Sequence, residues 1–159
     1  MLTPRWLLLI LVNYQRASCR SLFDTPAPLM YETVTQGIRI RVTPQYLEEE
    51  SSPNDGRFVW AYTVDIVNEG SETVQLRTRH WRITDASGRT EEVRGRGVVG
   101  QTPVMVPGAS FRYTSSCPLT TPSGIMTGTY QMTTGTGLNI DVAVPAFSLD
   151  SPHSKPRLN

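Results

Sequence analysis

Apolar residues fall on every second position through most of the chain, starting just after Met30. Ile38, Ile40 and Val42 share one parity while Arg39, Arg41 and Thr43 take the other, the period of two expected of a half-buried strand. Pro44 is expected to end this first strand, because it has no backbone donor. The run Glu48-Glu49-Glu50 with Ser51, Ser52, Pro53, Asn54, Asp55 and Gly56 reads as a solvated loop. A second strand follows over Arg57 to Asn68, with Phe58, Trp60, Tyr62, Val64 and Ile66 on its core side. After the turn Asn68-Glu69-Gly70-Ser71, a strand over Thr73 to Asp85 changes phase: Val74 and Leu76 hold one parity, Trp81 and Ile83 the other. Such a slip predicts a bulge or a crossover between sheets.

The turn Ala86-Ser87-Gly88 leads into Glu91, Glu92 and Val93. Strands are then expected over Ser110 to Ser116, Met126 to Thr133 and Leu138 to Val144, with Thr134 to Gly137 as a hairpin loop and Pro145 as the closing residue. Phe147 and Leu149 are expected to dock back before a mobile tail over 151–159. About seven short strands without a helical period predict an all-β antiparallel sandwich.

A chain of 159 residues fits one domain, expected over 30–150. Residues 1–29 differ in character: Arg5, the apolar run Trp6 to Val12, Arg16 and Arg20 lead to a Pro26-Ala27-Pro28 breaker. That run is too short to span a bilayer, which takes about 20 residues. A signal peptide, an organelle transit peptide, a disordered leader and an over-long gene start compete as readings, the last two being preferred, with a cytoplasmic location. Lys+Arg of 15 against Asp+Glu of 14 gives a net charge of +1, which argues against a nucleic-acid binder. Lys155 is the sole lysine, so the domain carries its positive charge as arginine. Cys19 and Cys117 are too few and too far apart for a disulfide framework or a C-x-x-C metal site.

Gly95-Arg96-Gly97-Val98-Val99-Gly100 spells G-x-G-x-x-G, the string of a dinucleotide cradle. Such a cradle must open a helix directly, yet Pro103 and Pro107 follow here. In a sandwich these glycines are expected to end one strand and carry the chain across an edge, with the prolines discouraging edge pairing. The most basic stretch contains Arg77, Arg79, His80, Trp81 and Arg82. Arg79, His80 and Trp81, together with Arg94, Gly95, Arg96, Gly97 and Gly100, form the candidate surface for a ligand or partner. The competing reading of that stretch is an outer strand face with one core tryptophan.

Several separate motifs resemble the ApaG family in order: Arg79-His80-Trp81-Arg82-Ile83-Thr84-Asp85, Val93 to Gly100, Pro107-Gly108, Phe111 to Cys117 and Thr121 to Gly128. The resemblance covers roughly Tyr31 to Leu149 and implies an immunoglobulin-like or fibronectin type III sandwich. It also implies a bacterial protein linked to cobalt resistance and magnesium efflux, whose gene often lies beside that of a diadenosine tetraphosphatase. The family's eukaryotic relatives carry the domain in F-box and polymerase-delta-interacting proteins, where it looks like a protein-binding module. The chain departs from the family at its N-terminal extension and at Thr134-Gly135-Thr136-Gly137.

No nucleophile and base, paired carboxylates or metal cluster assembles in the sequence, so no enzyme activity, cofactor or metal is expected. His80 is the single histidine of the domain and Cys117 precedes Pro118. Two functions remain. One is a protein-interaction module with an unidentified protein partner, acting on divalent cations only indirectly. The other is a binder of an anionic, pyrophosphate-containing small molecule such as a dinucleoside polyphosphate, through the glycine-rich loop and Arg79, Arg94 and Arg96.

Overall fold

The computed structural model describes residues 28–154. The leader expected over 1–29 therefore lies outside the described residues except for its last two positions, and so does the tail beyond Ser154. Nine strands are present among the described residues. They are β1 (Tyr31–Thr35), β2 (Ile38–Tyr46), β3 (Phe58–Asn68), β4 (Val74–Asp85), β5 (Thr90–Arg96), β6 (Val104–Met105), β7 (Ser110–Leu119), β8 (Ser123–Thr134) and β9 (Asn139–Asp150). One antiparallel sheet has the order β1-β2-β3-β7 and the other β5-β4-β8-β9, with β6 beside β4. This is the all-β sandwich that the alternation predicts.

Three local expectations are corrected. The first strand is a hairpin, because Gln36 (φ 49°) and Gly37 (φ 78°) reverse the chain between β1 and β2. Pro44 does not end β2: β1 reaches only as far as Val42, so Pro44 stands where β2 has β3 alone as a neighbour and a missing donor is tolerated. Pro145 does not close β9 either. The ladder passes from Met126↔Phe147 to Gly128↔Val144, which leaves Pro145 and Ala146 opposite the single residue Thr127, a bulge that accommodates proline. The predicted phase slip in β4 is a bulge as well, between Leu76 and Thr78.

Both inward faces meet in one core that includes Ile38, Ile40, Val42, Trp60, Val64, Ile66, Leu76 and Leu149. Trp81 lies at its aromatic centre, with ring centroids 5.5 Å from Tyr62, 6.0 Å from Tyr130 and 6.2 Å from Phe147. The hydroxyls of Tyr113 and Tyr130 bond to each other between the sheets. Burial holds both well above the ordinary tyrosine range and pushes Tyr62 up to about 12, so all three stay neutral. Asn68 is fully buried but satisfied: its Nδ2 donates to the carbonyls of Glu72 and Met105, and its Oδ1 accepts from Gly70. The chain remains anchored past β9, where Ser151 donates its N–H to Pro122 and the His153 ring packs on Tyr46.

At the β4–β5 turn, Asp85 Oδ1 accepts from the Ser87 hydroxyl and from the N–H groups of Ser87 and Arg89. These bonds, the Ser87 hydroxyl first, lower its pKa. The contribution is complete above the ordinary aspartate value of about 4 and disappears as pH falls through the lowered folded value. Thermal melts between pH 6 and pH 2 are therefore expected to show a shallower acid limb for Asp85→Asn than for the unsubstituted protein; parallel limbs would refute the assignment.

Candidate functional site: the open edge of the second sheet

β4 and β5 pair from Thr78↔Arg96 to Thr84↔Thr90. Past the bulge, Trp81 and Ile83 face the core. Pairing puts Val93 and Gly95 on the same side, opposite Trp81 and Arg79. The other parity, Thr78, His80 and Arg82 with Arg96, Arg94 and Glu92, forms the outward face.

The predicted site residues thus divide between the two faces. Trp81 is 3 % exposed and belongs to the core, as the competing reading of that stretch had it, so it offers no partner surface. Arg79 lies on the inward parity and crosses β5 from beneath, its Nη1 donating to the carbonyls of Arg96 (3.1 Å) and Gly97 (2.7 Å). The guanidinium passes directly over Gly95, where an added Cβ would stand 3.0 Å from Nη1. Gly95 is thus a gap in the strand through which Arg79 reaches the loop.

The glycine run is a tight turn closing β5. Val98 and Gln101 exchange backbone hydrogen bonds of 2.8 and 2.9 Å across Val99 (φ 44°) and Gly100 (φ 78°). Val99 is a β-branched residue in the left-handed region and half exposed, a strained position held by the turn around it. Gly97 has φ 62°, and a Cβ there would lie 2.3 Å from the Gln101 carbonyl oxygen. The N–H groups of Gly97, Val98 and Gln101 are all consumed within the protein, the first by the Arg77 carbonyl.

On the outward face, Glu92 meets three basic side chains. His80 Nε2 donates to it at 3.0 Å, Arg94 Nη2 lies at 3.4 Å and Arg82 Nε at 3.5 Å. The His80 bond first and the Arg94 bond second hold the Glu92 carboxyl below its ordinary range. Arg82 and Arg94 remain 60 % and 73 % exposed, and the Arg96 side chain has no acceptor among the described residues. The Arg77 side chain, in the bulge, donates to the Thr133 hydroxyl at 3.3 Å. Arg77, Arg82 and Glu92 were outside the predicted set; the signal that places them is the parity on either side of the bulge.

No His, Cys, Asp and Glu side chains gather in threes that could hold a metal among the described residues. Burial pushes the Cys117 thiol up to about 12, and it faces inward while His80 faces out, so the two cannot form a nucleophile and base. No helix of the described residues is long and apolar enough to cross a membrane.

The ApaG domain family pattern matches residues 48–134. The chain is 60 % identical over 130 residues to Protein ApaG of Rhodospirillum centenum, which covers 82 % of this chain and the whole of that protein. Protein ApaG of Paramagnetospirillum magneticum is 61 % identical over the same extent. Among solved structures, that of an ApaA protein from Bordetella pertussis superposes with a TM-score of 0.71 at 47 % identity, over 74 % of this chain and 95 % of that one. A nine-stranded sandwich with this edge and these relatives makes the chain a member of the ApaG domain family.

Proposed function

We propose that the chain is a non-enzymatic protein-interaction module of the cytoplasm that offers the open side of its sandwich to a partner. The observation that carries this reading is the strand order. β5 and β7 each end a sheet with a neighbour on one side only. At the opposite side the sheets close on each other, with Ala143 N–H donating to Thr35 Oγ1 at 3.2 Å and Tyr31 bonded to Ser148 at 2.8 Å. Two unfilled edges flanking one open side suit strand addition, in which backbone hydrogen bonds supply affinity and alternate side chains supply specificity. A link to cobalt resistance and magnesium efflux would then run through the partner, since no donor set of the described residues suits a metal.

The anion-binding alternative is weakened, because the N–H groups of Gly97 and Val98 are already bonded and Arg79 is turned onto carbonyls. Of its proposed arginines, Arg96 and the exposed Arg94, which sits beside Glu92, still face outward. The test is affinity capture from cells with the full chain, with cross-links mapped on the captured complex and a parallel titration with diadenosine tetraphosphate. A recurrent protein cross-linked to β5 or β7 and no calorimetric response at millimolar nucleotide are expected. Saturable nucleotide binding without any protein partner would transfer the function to the alternative.

A further inference from the structure

We infer that β5 is the docking edge for an extended acidic segment of a partner protein, added as a further strand to the second sheet. The inference rests on the interaction-module reading and names the chemistry of the partner.

Gly97 donates its N–H to the Arg77 carbonyl at 2.8 Å, on the β4 side. Backbone polar groups alternate in direction along an antiparallel strand. The N–H and C=O groups of Gly95, Val93 and Glu91 therefore turn to β4, and those of Arg96, Arg94, Glu92 and Thr90 turn off the sheet. These latter residues are also the ones whose side chains occupy the outward face, opposite Thr78, His80, Arg82 and Thr84. Free backbone groups and arginine side chains thus belong to the same residues. Arg79 caps the Arg96 carbonyl and so sets one end of the usable edge, leaving Arg94 and Glu92 to bond a new strand.

Charge decides which strand fits. In the first sheet each strand arginine is matched: Arg39 bonds Glu32 and Glu69, Arg41 bonds Glu32, and Arg112 sits 2.9 Å from Asp65. On the outward face of β4 and β5, Glu92 pairs with Arg82 and Arg94 and is shared by His80, while Arg77 and Arg96 have no carboxylate partner among the described residues. Asp141 on β9 is separated from β4 by β8, roughly 10 Å away at ordinary strand spacing. A partner strand with carboxylates at every second position would set them opposite Arg94 and Arg96, within reach of both.

The same charges sort the competitors. A second copy paired symmetrically about Val93 would place Glu92 against Arg94 of its neighbour, but it would also join two arginine clusters on one sheet face, each with a single carboxylate already engaged. The β7 edge carries Pro118, which lacks a donor, and its Arg112 is already paired. Uncharged apolar strands are discouraged by the arginines flanking the edge.

The test uses the isotopically labelled full chain and three probes: a short peptide alternating Glu with Thr and Val, the same peptide with Lys for Glu, and an octauridylate. The acidic peptide is expected to shift the amides of Glu92 and Arg94 and to slow their hydrogen exchange. R94E/R96E, two exposed positions whose folding is checked by the dispersion of the same spectra, is expected to weaken the acidic peptide at least tenfold and to gain binding of the Lys peptide. The inference is overturned by no response to millimolar acidic peptide, by responses confined to β7, by equal or tighter binding of octauridylate, or by β5 protection that rises with protein concentration alone. If cell capture still yields a partner cross-linked to β7, the interaction-module reading stands and the β5 assignment falls.

Discussion

Replacing Trp81 by alanine is expected to lower stability by about 4 kcal/mol, the cost of emptying a large aromatic site in a packed core. The residue touches Tyr62, Tyr130 and Phe147, which come from three strands in both sheets, so the cavity would open at the joint between layers. Gly128 lets the ring sit there: a Cβ at that position would lie 2.7 Å from Trp81 Cε3. Relaxation into the gap is limited because β4 is fixed by neighbours on both edges. For a domain of this size the loss corresponds to a fall in Tm of roughly 10–20 °C. Thermal denaturation followed by circular dichroism measures it, and a fall below about 3 °C would contradict the placement of the ring. Trp81→Phe, which keeps most of the contacts, is expected to lose less and to bind partners as the unsubstituted protein does, since no part of the edge is removed.

Gly97→Ala is expected to cost about 3 kcal/mol, from two sources. The first is the left-handed backbone, worth on the order of 1 kcal/mol for a residue with a Cβ. The second is the 2.3 Å approach to the Gln101 carbonyl oxygen, which only a backbone shift can relieve. Gly100 offers the control, because it has φ 78° but nothing within 4 Å of an added Cβ. Gly100→Ala should therefore show the backbone cost alone, about 1 kcal/mol. Urea unfolding of both variants separates the terms; equal losses would show that the close approach relaxes away. The glycine string is thus required by geometry at Gly95 and Gly97.

The sandwich was legible because its strands alternate over long runs with bulky residues on one parity, as in Phe58, Trp60, Tyr62, Val64 and Ile66. What was misread came from treating proline as punctuation. Pro44 and Pro145 both lie inside strands, one where β2 has a single neighbour and the other in a bulge, and neither circumstance can be seen without knowing the pairing. The β1–β2 hairpin escaped because Gln36-Gly37 is a weak turn signal beside Asn-Gly or Asp-Gly. The candidate site was visible as a concentration of arginine, but its two faces were not separated. The phase slip in β4 already held the answer: beyond the bulge Arg79 shares the parity of Trp81, so the two belong inside while His80 and Arg82 belong outside.

The strand order also sets a schedule for a chain made from its N-terminus. Every strand of the first sheet lies before Ser123, whereas the second sheet has by then only β4, β5 and the short β6. A nascent chain that has just completed β7 can assemble four paired strands whose inward face, with Ile38, Ile40, Trp60 and Tyr113, has little to cover it. The β4–β5 hairpin cannot be centred in its sheet until β8 arrives between β4 and β9. Synthesis at about 5–20 residues per second makes that interval one to several seconds. During it the arginine-bearing hairpin and a bare apolar sheet coexist, so the last two strands act as the lid that commits the domain to fold.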